Sequence, residues 1–307
     1  MFYSVSRVAL ILALLAAFNG FNATALQALD TFVIARMSDD AKKTGPKLQA
    51  LANYLKPIVA QAGIKTVGTA VVSTIEEMQQ ALAEGRVDLF SETVFAAHKI
   101  EQSGLAEIVL REWKGGAAEY RAVFVARRDS PLNSLSDIRG RRLALQDPNS
   151  TSGYMLPLLA LRRMGLTPLP IDAASPGPES VRYFSATDTK MEDEFVIVST
   201  VVSGGADAGV ISNLDWDDPA INPLLYREQL KIIHHTAPIL RQVTLLRRGL
   251  AASIRDKVVN ALMEAHLVEE GRAALSAYYK VKKFQALDAE SLAMLEDSRR
   301  LAAILTQ

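Results

Sequence analysis

The sequence predicts an α/β fold in which mainly parallel strands are flanked by helices and divided between two lobes. Short apolar stretches alternate along the chain with segments of helical spacing, a pattern typical of parallel sheets. A chain of 307 residues also has the length at which one hydrophobic core begins to split into two. We therefore expect two α/β lobes rather than one.

The N-terminal segment has the features of a secretory signal peptide. Arg7 is the only charged residue before Asp30, residues 8–18 are apolar, and Ala23-Thr24-Ala25 offers the small side chains of a peptidase site. The apolar run is shorter than the roughly 20 residues that cross a bilayer. We expect residues 1–25 to be removed near Ala25 and the mature chain to be periplasmic.

The first half of the mature chain predicts strands and helices in alternation. Pro46 is expected in the first turn of a helix, where its missing N–H has no partner to lose. Gly85 is expected to end the next helix. Strands are predicted at 31–35, 67–72, 87–90, 108–110 and 121–126, and helices at 46–62, at 74–84 and from 91–93 onwards.

The second half continues this alternation after a short segment at 134–139. Residues 168–178 have no clear period and are predicted to form a loop. Ser203-Gly204-Gly205 is expected to end a helix at 196–202. Strands are predicted at 142–145, 208–211, 232–235 and 243–246, and a long helical tail from residue 252.

The segment QDPNSTSGYMLP, residues 146–157, joins the strand at 142–145 to a helix. Pro157 is tolerated only in a first turn, so the helix is expected to begin near Gly153 or Tyr154. The amides of residues 150–154 would then be free at the positive end of the helix dipole.

Two interpretations of this segment remain open from the residues alone. Free amides and the hydroxyls of Ser150, Thr151 and Ser152 suit a phosphate-like oxyanion, and Gly153 permits a close approach. The same residue types are also the ordinary residues of a turn and a helix cap.

A longer stretch resembles a known family. From Tyr120 the chain reads YRAVFVARRDSPLNSLSDIRGRRLALQDPNSTSGYMLPLLALRRMGL. This is similar to the phosphate-, phosphite- and phosphonate-binding periplasmic proteins of ABC transporters, with their Ser-Leu-x-Asp-Leu-x-Gly-Lys and Asp-Pro-x-Ser-Thr-Ser-Gly-Tyr segments. ALAEGRVDL (81–89) and VVSGGADAGV (201–210) resemble two further family segments.

The resemblance implies a type II periplasmic binding protein fold with two crossover strands and a ligand clamped between the lobes. Lobe I would comprise residues 26–119 and 244–307, and lobe II residues 120–243. The ligand would be a small phosphorus oxyanion: a phosphonate, phosphate ester, phosphite or phosphate. An ABC transporter permease would be the partner of a monomeric protein without a cofactor or metal.

Further ligand contacts are expected outside the central motif. In place of the Gly-Pro turn common in the family, the chain has Ser91, Glu92 and Thr93. The Glu92 carboxylate would repel a dianionic ligand. It is compatible with binding if the ligand carries an amine, if the ligand or Glu92 is protonated, or if Glu92 points away from the cleft. The acidic run 191–194 also replaces a frequent family histidine. Additional candidates, each with an equally ordinary structural explanation, are Ser38, Tyr120 and Asp207.

Composition argues against several other functions. The chain carries 34 Lys and Arg against 34 Asp and Glu, without a basic run, which argues against nucleic acid as a partner. There is no Cys, and His234 and His235 should point to opposite faces of a strand, so no metal site is expected. We expect no enzyme, since no Gly-x-Ser-x-Gly segment occurs. The alternatives are a sensing partner of a membrane histidine kinase and, less favoured, an enzyme on this fold.

Overall fold

Two six-stranded sheets form the framework of the protein in its computed structural model, which describes residues 30–187 and 191–305. Each sheet combines parallel strands with antiparallel ones and is covered by helices. The predicted α/β class is therefore confirmed. The predicted signal peptide lies outside the described residues.

The first sheet is built from two distant parts of the chain. β1 pairs in parallel with β2 and β3, whereas β13 lies antiparallel between β3 and β4. The strand order is β14-β4-β13-β3-β1-β2. Its strands are β1 (Thr31–Met37), β2 (Thr66–Val72), β3 (Leu89–Glu92), β4 (Ala106–Glu112), β13 (Val243–Arg247) and β14 (Phe284–Gln285).

The second sheet is formed by one continuous part of the chain and has the order β11-β6-β10-β7-β9-β8. β7 pairs in parallel with β9 and β10, and β6 is antiparallel to β10 and β11. Its strands are β6 (Ala122–Arg127), β7 (Arg142–Leu145), β8 (Thr167–Pro170), β9 (Ser180–Ser185), β10 (Ala208–Ser212) and β11 (Leu230–His235).

A short antiparallel pair joins the two sheets. β5 (Glu119–Tyr120) carries the chain out of the first sheet, and β12 (Ile239–Leu240) brings it back. These are two crossover connections of the kind that the family resemblance implies. The sheet strands thus come from residues 31–112 and 243–285 on one side and 122–235 on the other, while the lobe boundaries themselves stay a prediction.

Helices cover both sheets through apolar faces. Leu48, Leu51, Leu55 and Val59 on α1 are at most 1% exposed, as their spacing predicts. None of the described helices is long and apolar enough to cross a membrane. The helices are α1 (Ala41–Ala60), α2 (Ile75–Ala83), α3 (Val94–Gln102), α4 (Leu156–Arg163), α5 (Asp193–Val202), α6 (Asn213–Asp217), α7 (Leu224–Arg227), α8 (Ala252–Glu264), α9 (Glu269–Ala277) and α10 (Ala289–Leu305).

The start of α1 differs from the prediction. The helix begins at Ala41, five residues before Pro46, because the Asp40 carboxylate accepts the Lys43 amide hydrogen at 2.9 Å and caps the first turn. Pro46 lies in the second turn, where its missing N–H leaves the Lys42 carbonyl without the usual donor four residues later. Pro46 therefore predicted the helix correctly but placed its first residue too late.

One predicted segment is partly wrong in the second half. The start of the predicted loop at 168–178 belongs to β8, which pairs in parallel with β9 at the sheet edge. Pro168 and Pro170 obscure the strand pattern but are tolerated at an edge. The C-terminal tail from residue 252 is mainly helical, as predicted, and is divided into α8, α9 and α10 with β14 between the last two.

Helix α10 is joined to helix α3 by an ion pair. The Arg299 guanidinium donates to the Glu101 carboxylate of α3 at 2.8 Å. The neighbouring His98 side chain and the Arg299 charge lower the pKa of Glu101 to about 2. The charged carboxylate is therefore favoured by the folded protein.

We expect Glu101→Gln to destabilise the protein at neutral pH by about 1 to 2 kcal/mol. A depressed pKa stabilises the fold above the unfolded-state pKa, about 4.3 for Glu, and this stabilisation is lost as the pH falls towards 2. Urea unfolding at a series of pH values should show the two proteins converging in acid. The exposed Glu290→Gln is the control, and a difference independent of pH would contradict the assignment.

Candidate ligand-binding cleft

A cleft of about 270 Å³ lies where the carboxyl ends of strands from both sheets meet. Glu92 ends β3, Gln146 follows β7, and Ser212 ends β10. Ligands of open α/β sheets bind at this edge of the strands. The lining comprises Glu92, Thr93, Lys114, Tyr120, Gln146, Asp147, Asn149, Ser150, Thr151, Ser152, Glu194, Ser212, Asp215 and Arg241.

The back of the cleft is formed by the crossover pair. Tyr120 ends β5, and Arg241 directly follows β12 with its guanidinium 4.5 Å from the Tyr120 ring centre. The Arg241 amide donates to the Ala118 carbonyl at 2.8 Å, and its side-chain Nε has no hydrogen-bond partner among the described residues. Burial raises the pKa of the Tyr120 phenol, against the opposing charge of Arg241. Arg241 is thus a fixed cation with a free donor beside the cleft.

The central motif forms one corner of the cleft. After β7, a wide helical turn over Thr151–Met155 leads into α4, so helical structure begins two residues earlier than predicted. The Ser150 amide is already bonded to the Asp147 carbonyl, and the Gly153 amide donates to the Ser150 hydroxyl, each at 3.0 Å. The amides of Thr151 and Ser152 come first in the helical segment and have no carbonyl of a preceding turn to bond.

The hydroxyls of this corner have different roles. Ser150 caps the turn, because its Oγ accepts the Gly153 amide hydrogen and donates to Gln146 Oε1 at 2.5 Å. Thr151 is 1% exposed, and its Oγ1 has no hydrogen-bond partner in the described part of the chain. A buried hydroxyl without a partner is costly. The capping interpretation therefore applies to Ser150, while Thr151 is left for another partner.

Gly153 and Tyr154 do not line the cleft. A Cβ at position 153 would collide with the Gln146 side chain, so the glycine is required for packing against Gln146 rather than for approach of a ligand. The Tyr154 hydroxyl donates to the Tyr183 hydroxyl at 3.2 Å, and the rings are in edge contact. Gly153 and Tyr154 therefore contribute to the packing of this corner and not to the cleft surface.

Glu92 faces the cleft, and the charges of two cations, Arg36 and Lys114, act on it. Its carboxylate is 8% exposed and accepts the Met37 amide hydrogen at 3.4 Å. Burial raises the pKa of Glu92, and the charges of Arg36 and Lys114 oppose that rise. Thr93 also lines the cleft and makes no side-chain cap to α3. Ser91 points away, into a 3.0 Å hydrogen bond with Thr244 on β13.

The opposite wall is acidic. Glu194 on α5 and Asp215 on α6 both line the cleft, and the Asp215 carboxylate accepts hydrogen bonds from the Ser212 amide and hydroxyl. Burial, and next the Asp215 charge, raise the pKa of Glu194. In the described part of the chain, no Lys or Arg side chain lies within 4.0 Å of either carboxylate. This wall therefore suits a cationic group or a hydrogen-bond donor.

Ser38 and Asp207 are not brought to the cleft. The Ser38 hydroxyl bonds Thr44 and the Asp40 backbone at the start of α1. Asp207 precedes β10 and accepts the Arg142 amide hydrogen at 2.8 Å, so it lies at the end of β10 opposite Ser212. Both predicted ligand contacts are explained by local structure.

A larger cavity of about 400 Å³ lies elsewhere, between α4, the β11–β12 connection and α10. Its wall is mostly aliphatic, including Leu156, Leu159, Met294 and Leu301. A small anion would be less well solvated against this largely apolar wall than in the polar cleft. The smaller polar cleft is the better candidate for an oxyanion site.

Sequence reasoning misses the cleft cations. Lys114 follows β4 in a loop, and Arg241 follows a two-residue strand, so neither has a local pattern that marks it. Burial and the charges of Arg36 and Arg241 lower the pKa of Lys114 well below its usual value. The one available signal for both is their position beside predicted strands that would border a cleft.

Comparison with known proteins agrees with this architecture. A model of the family described as "ABC transporter, phosphonate, periplasmic substrate-binding protein" matches residues 36–292. The chain belongs to this family. Its members are periplasmic substrate-binding proteins of ABC transporters.

Individual relatives differ in sequence identity to this chain and in the length over which they align with it. XAC2383 from Xanthomonas citri, solved with a chloride ion, is 32% identical, covers 89% of this chain and 96% of its own, and has a TM-score of 0.80. A second structure of XAC2383 contains ATP, at 31% identity. The phosphate-import protein PhnD from Mycolicibacterium smegmatis is 25% identical over 211 residues, which span 66% of this chain and 63% of that protein.

A more distant structure shares the fold. PhnD1 from Prochlorococcus marinus, solved with methylphosphonate, is 14% identical with a TM-score of 0.64. The alignment covers 90% of this chain and 98% of that one. The type II binding protein fold is therefore shown for the family member described here.

The different roles of Thr151 and Ser150 can be separated by substitution. Thr151→Val should leave the melting temperature of the ligand-free protein nearly unchanged. If the cleft takes a small oxyanion such as methylphosphonate, the substitution should weaken its binding by about 1.5 to 3 kcal/mol, tenfold or more in Kd. Ser150→Ala should instead lower the stability by about 1 kcal/mol, because a cap is lost. Calorimetric titration beside melting curves measures both. Unaltered affinity in Thr151→Val would remove this residue from the binding site.

Proposed function

We propose that the protein captures a small phosphorus oxyanion between its two lobes and delivers it to an ABC importer after export and removal of residues 1–25. One observation carries the proposal: the Thr151 and Ser152 amides, the Lys114 ammonium and the Arg241 guanidinium border the same cleft. Helix N-termini and fixed cations both favour phosphate-like anions. Phosphonate, phosphate ester, phosphite and phosphate share this chemistry.

The relatives support the same ligand class. One is named for phosphate import, and another has been solved with ATP, a phosphate ester. Within this ligand class, the acidic wall formed by Glu194 and Asp215 favours oxyanions that also carry a positive group. A phosphonate that carries an ammonium group would place its anion at Thr151 and its cation at this wall.

Closure of the lobes is part of the proposal. Lobe I comprises residues 26–119 and 244–307, and lobe II comprises residues 120–243. The crossover pair gives the two lobes a narrow connection beside the cleft. A ligand that contacts both walls binds the closed state more tightly and shifts the equilibrium towards it.

We expect a thermal-shift screen of phosphorus and sulfur oxyanions to find a stabilising phosphorus ligand. At 100 times its Kd, such a ligand adds about 2.7 kcal/mol of stability. Small-angle scattering with that ligand should then show a smaller radius of gyration than without it. A flat response to every phosphorus compound would refute the ligand class, and an unchanged radius would refute closure.

The acidic wall yields a sharper test. Glu194→Gln should weaken 2-aminoethylphosphonate about tenfold or more, because a charged hydrogen bond to the ammonium is lost, while methylphosphonate is spared or bound better. Glu192→Gln is the matched control, since Glu192 is exposed two residues earlier, just before α5, and lies outside the cleft lining. Calorimetric titration of the wild type and both variants with the two ligands gives six affinities. Equal losses for both ligands in Glu194→Gln would assign this residue to structure instead.

A further inference from the structure

Three cations surround one aromatic ring beside the cleft. The Arg36 guanidinium, the Lys47 ammonium and the Lys114 ammonium lie 4.5, 4.6 and 5.4 Å from the centre of the Tyr279 ring. They come from β1, α1 and the loop after β4, so separate parts of the chain converge here. We call Arg36, Lys47, Lys114 and Tyr279 the cationic ring.

Two of these charges are not neutralised by ion pairs. Neither Lys47 nor Lys114 has a carboxylate within 4.0 Å in the described part of the chain. Glu92 and Glu112, the two buried carboxylates at the ends of β3 and β4, act on both Arg36 and Lys114. Three cations thus share two carboxylates, and the positive charge that remains is greatest on the side of Lys47.

The Tyr279 ring is held in place by an unusual backbone. Tyr279 and Lys280 have φ angles of 54° and 53°, in the left-handed region that residues other than glycine rarely adopt. The Lys280 amide donates to the Ser276 carbonyl at 3.1 Å, and the Gly115 amide donates to the Tyr279 carbonyl at 3.4 Å. Such conformations concentrate at ligand clamps and similar sites. The second bond also ties the ring to the loop that carries Lys114.

Lys114 belongs to both the cationic ring and the cleft. An anion bound at Thr151 and Lys114 would therefore have further cations beyond Lys114, with Lys47 half-exposed among them. Lysine ammonium groups act as point charges for phosphoryl oxygens without a fixed geometry. The arrangement suits a ligand that continues past its first phosphoryl group with more negative charge.

We infer that the cationic ring is a second anion subsite, which takes the second phosphoryl group of a ligand whose first phosphoryl group occupies the cleft. The ligand class is phosphate anhydrides and their esters, such as pyrophosphate and nucleoside polyphosphates. This inference rests on the proposed function, because it assumes an oxyanion at Thr151 and Ser152. It adds Lys47, which lies outside the cleft lining, as a specificity-determining residue.

The test compares ligands with one and with several phosphoryl groups. Calorimetric titrations would use methylphosphonate, inorganic pyrophosphate and ATP with the wild type, Lys47→Gln, Lys47→Glu and Lys56→Gln. Lys56 is the matched control, because it is an exposed lysine nine residues further along α1 and outside the cationic ring. Melting curves of the four ligand-free proteins report whether each is folded.

We expect Lys47→Gln to raise the Kd of pyrophosphate and ATP roughly threefold to tenfold, with a larger rise in Lys47→Glu. Methylphosphonate should bind all four proteins alike, and Lys56→Gln should behave as the wild type. The inference fails if Lys47→Gln changes no affinity, if it changes all of them equally, or if the wild type binds methylphosphonate but neither polyphosphate. Absence of binding by all three compounds to the wild type would overturn the proposed function itself.

Discussion

The position of the cleft depends on the antiparallel pair of Glu119–Tyr120 and Ile239–Leu240. Immediately after this pair, β13 inserts between β3 and β4 in the first sheet. The carboxyl ends of strands in both sheets are thereby directed at one another across the joint. The same connection places Tyr120 and Arg241 beside the cleft. The strand pair that joins the two sheets therefore also forms one wall of the cleft.

Charge balance is the second constraint on this site. Isolated ions are costly to bury, and the cleft nevertheless contains both cations and carboxylates. Glu92 is offset by Arg36 and Lys114, whereas Glu194 and Asp215 have one another and neutral donors as their partners among the described residues. A ligand with separated positive and negative groups would complement both walls. This explains how a family that binds anions can have a member with four acidic residues in its cleft lining.

Local pattern was enough to predict part of the fold and one corner of the site. The apolar face of α1 and the strand Arg142–Leu145 keep a clear period, and the motif around Thr151 is contiguous in sequence. Lys114, Arg241 and Glu194 come from separate connections, so only the folded chain shows that they meet. Asp207 is misplaced by sequence reasoning, because nothing local tells which end of β10 borders the cleft.

The packing of Gln146 against Gly153 constrains how this corner can change over evolution. The Gln146 side chain occupies the space that a Cβ at position 153 would need, and it also accepts the Ser150 hydroxyl hydrogen. Any larger residue at 153 displaces Gln146, while a shorter residue at 146 leaves Ser150 without its acceptor. Substitutions at these three positions are therefore non-additive. In evolution, residues 146, 150 and 153 should therefore change together rather than one at a time. This is epistasis among residues of a single backbone turn.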